Sequence, residues 1–341
     1  MAERVPLRDI SSLTWEHPAD AAALQSLRAV PGFDAVLRAV FGLFAERTLR
    51  LMHLGGSVEV SPKQLSQINR VYEEVLGTLD APRRYPLYVT QNPVLNAGAV
   101  GMEEPFIVLN SGAVALLSPD ELRYVLGHEV GHILSDHVLY KTMVRLLLTI
   151  GRVAWSNVFT GIAYYGVLVA LLEWDRKSEL SSDRAGLLAV QDPDVVRLGL
   201  LRAAGGVIDG VDVEAFREQA RRYEEGGDNL DSLAKALALL GRTHPMPVHR
   251  LQEIDRWVER GDYGRVLGGE YLRRSDQTRR PTAWETWRQS ASSYADGFRA
   301  SADPLTSWVR GKGDAAATSA GSAVDWLRRK GRAKPESDGN E

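Results

Sequence analysis

Five consecutive residues, His128-Glu129-Val130-Gly131-His132, constrain this chain more than any other feature. On an α-helix the two histidines stand one turn apart on the same face, about 6 Å from each other. Two imidazoles so placed can bind one metal ion, and Glu129 can reach a water on that ion. The alternative is a pair of core histidines with this spacing by chance. It is disfavoured because a glutamate on a largely apolar helix needs a partner to be buried.

The residues upstream of this motif predict the helix. Ser118 has the position of an N-cap, Pro119 suits the first helical position, and Glu121 completes a capping box. Apolar residues then recur at helical spacing from Leu122 onward. We therefore expect the motif near the middle of a helix, where a rigid backbone holds both histidines.

A zinc site needs a third protein ligand and an open position for water. The chain has no cysteine, so the third ligand must be His, Asp or Glu. His137 is rotated off the ligand face of the helix and is not expected to bind the metal. Glu179 and Asp183 are four residues apart on a second predicted helix, which suits one carboxylate ligand and one carboxylate that orients a ligand histidine. A solvated charged face explains the spacing of this pair equally well.

Three motifs in this order resemble the gluzincin-type zinc peptidases of the HtpX-like and CAAX-prenyl-endopeptidase family. They are HEVGH, then ELSSD, then His244-Pro245 followed by Arg250. Asn96-Ala97 and the run Phe106-Ile107-Val108-Leu109 precede them, as in that family. The ordered set is more specific than any one motif, and the resemblance covers roughly residues 56 to 260.

The resemblance implies that His128, His132 and Glu179 bind one Zn²⁺ per chain and that Glu129 is the general base. A bound Zn²⁺ lowers the pKa of its water from about 15.7 to about 7. Glu129 would take the proton of this water and pass it to the departing amine, while the metal polarises the peptide carbonyl.

A further donor to the oxyanion often assists such a reaction. His244 and Arg250 are the candidates that this chain offers for that role. Alternatively, His244 only precedes a helix, and Arg250 pairs with a carboxylate of the scaffold.

Substrate binding is predicted at the short apolar run Phe106, Ile107, Val108 and Leu109, which is typical of a strand. At the edge of a sheet, this strand could bind an extended peptide through main-chain hydrogen bonds. A buried strand fits the same residues. Gly98 stands where the resembling family commonly has an aromatic residue, so the details of the groove are expected to differ.

The composition is ordinary for a soluble globular protein, with 44% hydrophobic and 25% charged residues. The net charge of −3 does not show the excess of positive charge that is typical of nucleic-acid-binding proteins, so no nucleic-acid partner is expected. Since the chain has no cysteine and its first residues lack the apolar core of a signal peptide, we expect a cytoplasmic location.

Residues 153–172 carry no charge and are long enough to cross a bilayer. His132 and Glu179 must nevertheless meet at one metal, so the chain between them crosses twice or not at all. Lys141 disfavours a span in the other half of this interval. We therefore expect residues 138–172 to form an apolar helical hairpin within the catalytic domain, with peripheral membrane contact as the alternative.

The predicted fold is a predominantly helical α+β, zincin-like domain with a small β-sheet and the HExxH motif on its active-site helix. The catalytic domain is expected at residues 31–265, after an amino-terminal segment, 1–30. Amphipathic helices at 266–310 and a disordered tail at 311–341 are expected to follow. In the amino-terminal segment, residues 15–18 are predicted to form a surface turn. The alternative brings His17 toward the metal and holds the enzyme latent.

The sequence therefore predicts a zinc-dependent endopeptidase that acts on a peptide or protein substrate. One alternative is a membrane-associated quality-control protease that faces the cytoplasm and uses residues 138–172 as its anchor. The other is a catalytically silent binding protein with the same fold. Glu129 argues against the silent protein, which has no chemical need of that carboxylate.

Overall fold

Helices make up most of the fold in the computed structural model, which describes residues 4–28, 46–101, 104–150, 161–206, 210–225 and 246–278. The helices are α1 (Pro18–Arg28), α2 (Glu46–Gly56), α3 (Ser66–Thr78), α4 (Ser111–Leu116), α5 (Pro119–Leu134), α6 (Val138–Ile150), α7 (Gly161–Val190), α8 (Pro193–Gly205), α9 (Val213–Glu225), α10 (Pro247–Glu259) and α11 (Asp262–Leu267). The strands are β1 (Val58–Glu59), β2 (Leu87–Thr90), β3 (Ala97–Val100) and β4 (Phe106–Asn110). The predicted helical α+β class is confirmed.

Several predictions fall on residues outside those described. They concern His244, the turn of the expected hairpin at 151–160, and the carboxyl-terminal helices and tail beyond residue 278. The described residues all belong to one compact unit.

The strands form one sheet in the order β1-β2-β4-β3. Strand β4 pairs in parallel with β2 on one side and antiparallel with β3 on the other. The prediction of a strand at Phe106–Leu109 is confirmed, but its proposed position at an edge is wrong, because both sides of β4 are hydrogen-bonded. Within the described part of the chain, β3 is the edge strand on this side of the sheet.

Helix α5 begins with the predicted capping box. The Ser118 hydroxyl accepts from the backbone N–H of Glu121 at 3.3 Å, and the Glu121 carboxylate accepts from the Ser118 N–H at 2.8 Å. The helix ends at Leu134, and Asp136 then adopts a φ of 57° as the chain turns into α6. The HExxH motif consequently lies in the last turns of α5 rather than near its middle.

Small residues allow α5 and α7 to approach closely. A Cβ atom added to Gly131 would lie 2.5 Å from Cβ of Ala185, and Gly127 meets Ala189 in the same way one turn earlier. The two glycines are four residues apart on α5, and the two alanines are four residues apart on α7. Each pair of residues therefore lies on the one face of its helix that packs against the other helix. Both motif histidines are therefore held directly opposite the second half of α7.

Helices α6 and α7 also pack through a second apolar cluster, separate from the main core, in which Leu27 of α1 takes part. Its other fully buried members are Met143, Val144, Leu147, Val167, Leu171 and Trp174. Among the described residues, no helix is both long enough and apolar enough to cross a membrane.

The amino-terminal residues are part of the core. Leu7, Ile10 and Trp15 belong to the main hydrophobic cluster, and His17 is fully buried. The predicted surface turn at residues 15–18 is therefore wrong. Burial is possible because the Trp15 Nε1–H donates to Ser135 Oγ at 3.1 Å and the His17 ring bonds to Glu253 at 3.0 Å.

Candidate metal centre

The structure brings His128, His132 and Glu179 together at one buried point between α5 and α7. The two histidine Nε2 atoms are 3.1 Å apart. Glu179 Oε1 lies 3.2 Å from Nε2 of His132, and its Oε2 lies 3.4 Å from Nε2 of His128. Three ligands at 2.0–2.1 Å from a tetrahedral zinc ion are about 3.3 Å from one another. The three side chains therefore fit one metal ion.

Glu129, the residue after His128, contacts the edge strand of the sheet. It is buried, and its Oε2 accepts a hydrogen bond from the backbone N–H of Ala99 in β3 at 2.6 Å. The carbonyl of Ala99 accepts from Nη1 of Arg145 in α6 at 2.9 Å. The outer side of β3 thus faces the predicted base.

His128 is oriented by a carboxylate, as the spacing of Glu179 and Asp183 suggests. Its Nδ1 lies 2.9 Å from Oδ1 of Asp183, which is also buried. Burial alone would raise the pKa of Asp183, but the Arg250 guanidinium outweighs it and lowers the pKa to about 2. Asp183 is therefore an ionised acceptor for the Nδ1–H of His128.

Arg250 lies on Asp183, where its Nε and Nη2 donate to the two carboxylate oxygens at 2.7 and 2.5 Å. Its Nη1 is 3.7 Å from Oε2 of Glu179. Two nitrogens of the guanidinium are thus engaged by the scaffold carboxylate, and the suggested donation to the oxyanion stays a prediction. The alternative, pairing within the scaffold, describes its position.

Tyr124 is a member of this network that the sequence analysis missed. Its hydroxyl donates to Oδ1 of Asp183 at 2.7 Å. The ring fits between two helices only because Gly186 and Gly199 lack side chains, since a Cβ at either position would lie within 2.9 Å of ring carbons. The available signal was its position four residues before His128, on the same face of the helix.

His132 has a different partner for its second nitrogen. Its Nδ1 lies 3.1 Å from Nδ1 of His137, whose Nε2 lies 3.1 Å from Oδ2 of Asp20 in α1. The prediction that His137 is not a ligand agrees with this position, because His137 is not in the cluster that could hold the ion. It instead contacts the ring of His132, a predicted ligand.

Lys141 is the second residue that the sequence analysis did not place at the site. Its buried Nζ donates to Oε1 of Glu179 at 2.6 Å and to Oδ1 of Asp175 at 2.7 Å. Burial would lower the pKa of Lys141, but the two carboxylates outweigh it and raise the pKa. Lys141 therefore carries a positive charge beside the predicted carboxylate ligand.

The two histidines of the motif have opposite pKa shifts. Burial would lower the pKa of His128, but Glu179 and Asp183 outweigh it and raise the value to about 9. For His132, burial and the nearby Lys141 charge lower the pKa well below its usual range. His132 is thus the neutral imidazole, the form that binds metals.

A helical α+β domain with two helix-borne histidines, a glutamate from a second helix and a buried glutamate beside them has the architecture of a metallopeptidase. The sequence model described as "Peptidase family M48" matches residues 62–258, more than half of the chain. The chain belongs to peptidase family M48 and is a metallopeptidase.

Curated relatives agree with this assignment. The plastoglobule-localized metallopeptidase 48 of Arabidopsis thaliana, a chloroplastic protein, is 35% identical over 274 residues that cover 76% of each chain. A protease HtpX homologue of Moorella thermoacetica is 23% identical over 51% of this chain and 66% of its own. An HtpX homologue of Streptococcus pneumoniae strain R6 is 26% identical over 36% of this chain and 43% of its own. No solved structure matches the chain.

Proposed function

We propose that this metallopeptidase binds one Zn²⁺ through His128, His132 and Glu179 and hydrolyses internal bonds of a peptide or protein. The observation that carries the proposal is the set of three buried ligand atoms, 3.1 to 3.4 Å apart, beside the carboxylate of Glu129. Two imidazoles and one carboxylate are a ligand set of catalytic zinc, which keeps a fourth position open.

The ion would supply a polarised water and stabilise negative charge on the substrate carbonyl. Glu129 takes the proton of the attacking water and delivers it to the leaving amine. Its hydrogen bond from the Ala99 N–H supports this role, because it fixes the carboxylate at the edge of the sheet. His244, outside the described residues, stays the proposed donor to the oxyanion.

Asp183, Tyr124 and Arg250 are proposed to position His128 rather than to contact substrate. Asp183 accepts from Nδ1 of His128, which leaves Nε2 for the metal. Arg250 and Tyr124 hold both oxygens of Asp183 in place. Partners of this kind fix the orientation of a ligand imidazole and raise its basicity.

We place substrate binding on β3 instead of β4. Ala99 directs its N–H and C=O away from β4, toward Glu129 and Arg145. Strand geometry gives Ala97, two residues earlier, the same outward direction. An extended peptide that pairs with Ala97 would run along the edge past Glu129, which favours cleavage of internal bonds over removal of terminal residues.

The experiment that tests the function compares the zinc-loaded wild type with Glu129→Gln, using casein as the substrate. We expect internal fragments from the wild type by mass spectrometry and none from Glu129→Gln at equal zinc content. Glu270→Gln, a change of the same chemistry at an exposed position, should leave the rate unchanged. Equal rates for wild type and Glu129→Gln would rule out this mechanism, and stepwise loss of terminal residues would exclude an endopeptidase.

The cytoplasmic location stays our proposal, with peripheral membrane contact through residues 138–172 as the alternative. The name of the Arabidopsis relative places that protein at plastoglobules. Fractionation of cells that express the chain, without detergent, distinguishes the two. Recovery in the soluble fraction supports the first, and sedimentation with membranes supports the second.

A further inference from the structure

We propose that Asp20, on the amino-terminal helix α1, positions the ligand His132 through His137. Asp20 lies outside residues 62–258, the part of the chain that the family M48 model matches. The metal centre would therefore depend on a helix that the family match does not include. This inference rests on the proposed zinc site.

The hydrogen-bond roles along this path follow from the nitrogen that faces the metal position. Nε2 of His132 lies 3.1 to 3.2 Å from His128 Nε2 and Glu179 Oε1, so Nε2 is the ligand atom. The hydrogen of the neutral imidazole is then on Nδ1 and is donated to Nδ1 of His137 at 3.1 Å. With Nδ1 as acceptor, His137 carries its own hydrogen on Nε2 and donates it to Oδ2 of Asp20 at 3.1 Å.

Asp20 is itself anchored through one of its two carboxylate oxygens. Its Oδ2 also accepts from the Ser181 hydroxyl at 2.5 Å, and Ser181 Oγ accepts from the His17 N–H at 2.9 Å. The start of α1 is thus fixed on α7 at the residue between Glu179 and Asp183. Helix α7 therefore supplies the carboxylate ligand, the partner of His128 and the anchor of Asp20.

The Asp20 carboxylate is buried but has polar partners. The residue is 1% exposed, and burial of an ionised carboxylate is costly unless it is paired. Burial would raise the pKa of Asp20, but His137 and the Ser181 hydroxyl outweigh it and lower the pKa. An ionised carboxylate therefore stands behind each ligand histidine, directly behind His128 and through His137 behind His132.

The test measures the dissociation constant of zinc by competition with a chromophoric chelator on the metal-free, folded chain. Asp20→Asn, which keeps the shape and an acceptor oxygen, should weaken zinc binding about tenfold, and His137→Gln by about 10- to 100-fold. The double variant should bind no more weakly than His137→Gln alone, because Asp20 acts only through His137. Asp194→Asn, at a side chain that is 81% exposed, should leave the constant unchanged.

A merely structural role gives a different pattern. It would lower the unfolding midpoint of the metal-free protein while leaving the zinc constant and the visible bands of the Co²⁺-loaded protein as in the wild type. That result, or additive losses in the double variant, would overturn the inference. If the variants show the expected losses of zinc affinity and the zinc-loaded wild type cleaves nothing, the inference is supported and the peptidase reaction is refuted. A wild type that binds no zinc would overturn both.

Discussion

Arg250 and Asp183 form a two-point ion pair in the interior, with the guanidinium Nε and Nη2 on the two carboxylate oxygens at 2.7 and 2.5 Å. The flat fork of arginine matches a carboxylate in a way that the single ammonium of lysine cannot. Because Asp183 in turn holds Nδ1 of His128, the pair connects α10 to the metal centre.

Replacement of Arg250 by Met should lower the free energy of unfolding by about 3–5 kcal/mol, because it leaves the Asp183 charge buried without its partner. Arg250→Lys keeps the charge but loses one hydrogen bond. We therefore expect it to lose less stability than Arg250→Met and to bind zinc more weakly than the wild type. Urea unfolding of the metal-free protein and chelator competition measure the two quantities. A donor to the oxyanion would behave differently: Arg250→Lys would then lower kcat while the zinc affinity stayed unchanged.

Gly131→Ala should force α5 and α7 apart, because the new Cβ would lie 2.5 Å from Cβ of Ala185. Overpacking of this kind costs about 1–3 kcal/mol, and we expect weaker zinc binding since the ligands come from both helices. The double variant Gly131→Ala with Ala185→Gly should recover part of the loss. Gly77→Ala is the control, since a Cβ there meets nothing within 4 Å. Equal effects at Gly131 and Gly77 in thermal unfolding would contradict the close approach.

Lys141→Met should destabilise the metal-free protein by about 3–5 kcal/mol, because Asp175 and Glu179 lose the buried cation between them. A bound metal supplies positive charge to Glu179, so saturating zinc should offset part of this loss. The measurement is the Tm of wild type and variant with and without zinc. The same difference in both conditions would show that Lys141 does not act on the ligand carboxylate.

Glu16 and His17 should impose opposite pH dependences on stability between pH 7 and 5. Burial, with the Arg184 charge, lowers the pKa of His17 to about 4, so the unfolded chain takes up a proton first as the pH falls, and stability is lost. Burial, with the charge of Asp20, raises the pKa of Glu16 to about 7, so the folded chain takes up a proton first, and stability is gained.

Each contribution is on the order of 2 kcal/mol over this interval. Relative to the wild type, Glu16→Gln should therefore lose stability as the pH falls from 7 to 5, and His17→Gln should gain it. Urea unfolding at both pH values gives the two differences. Shifts of the same sign in the two variants would refute the assigned protonation states.

Features that depend on neighbouring residues were predictable from the sequence. The capping box at Ser118, the HExxH helix and the strand at 106–109 all follow from spacings within a few residues. The shared face of Glu179 and Asp183 follows from a spacing of four. The local pattern could not show whether this pair is buried, and the family resemblance favoured Glu179 as a ligand.

Features that depend on distant partners were not predictable. The burial of His17 requires Glu253, 236 residues away, and the role of Arg250 requires Asp183, 67 residues away. The interior place of β4 depends on the order of strands in the sheet, which its own apolar residues do not encode. The periodicity of apolar residues describes one helix or strand at a time. The burial of a side chain, its ion-pair partner and the position of a strand in the sheet depend on which helices and strands pack together.

The core positions of Leu7, Ile10 and Trp15 determine how the enzyme can be divided for experiments. A fragment designed to start at residue 62, where the family match begins, would expose the apolar surface that these three side chains cover. Such a fragment should aggregate or unfold even though it keeps His128, His132 and Glu179. Its inactivity would therefore carry no information about catalysis. We therefore expect that the smallest chain that folds as this enzyme does includes α1 and the residues before it.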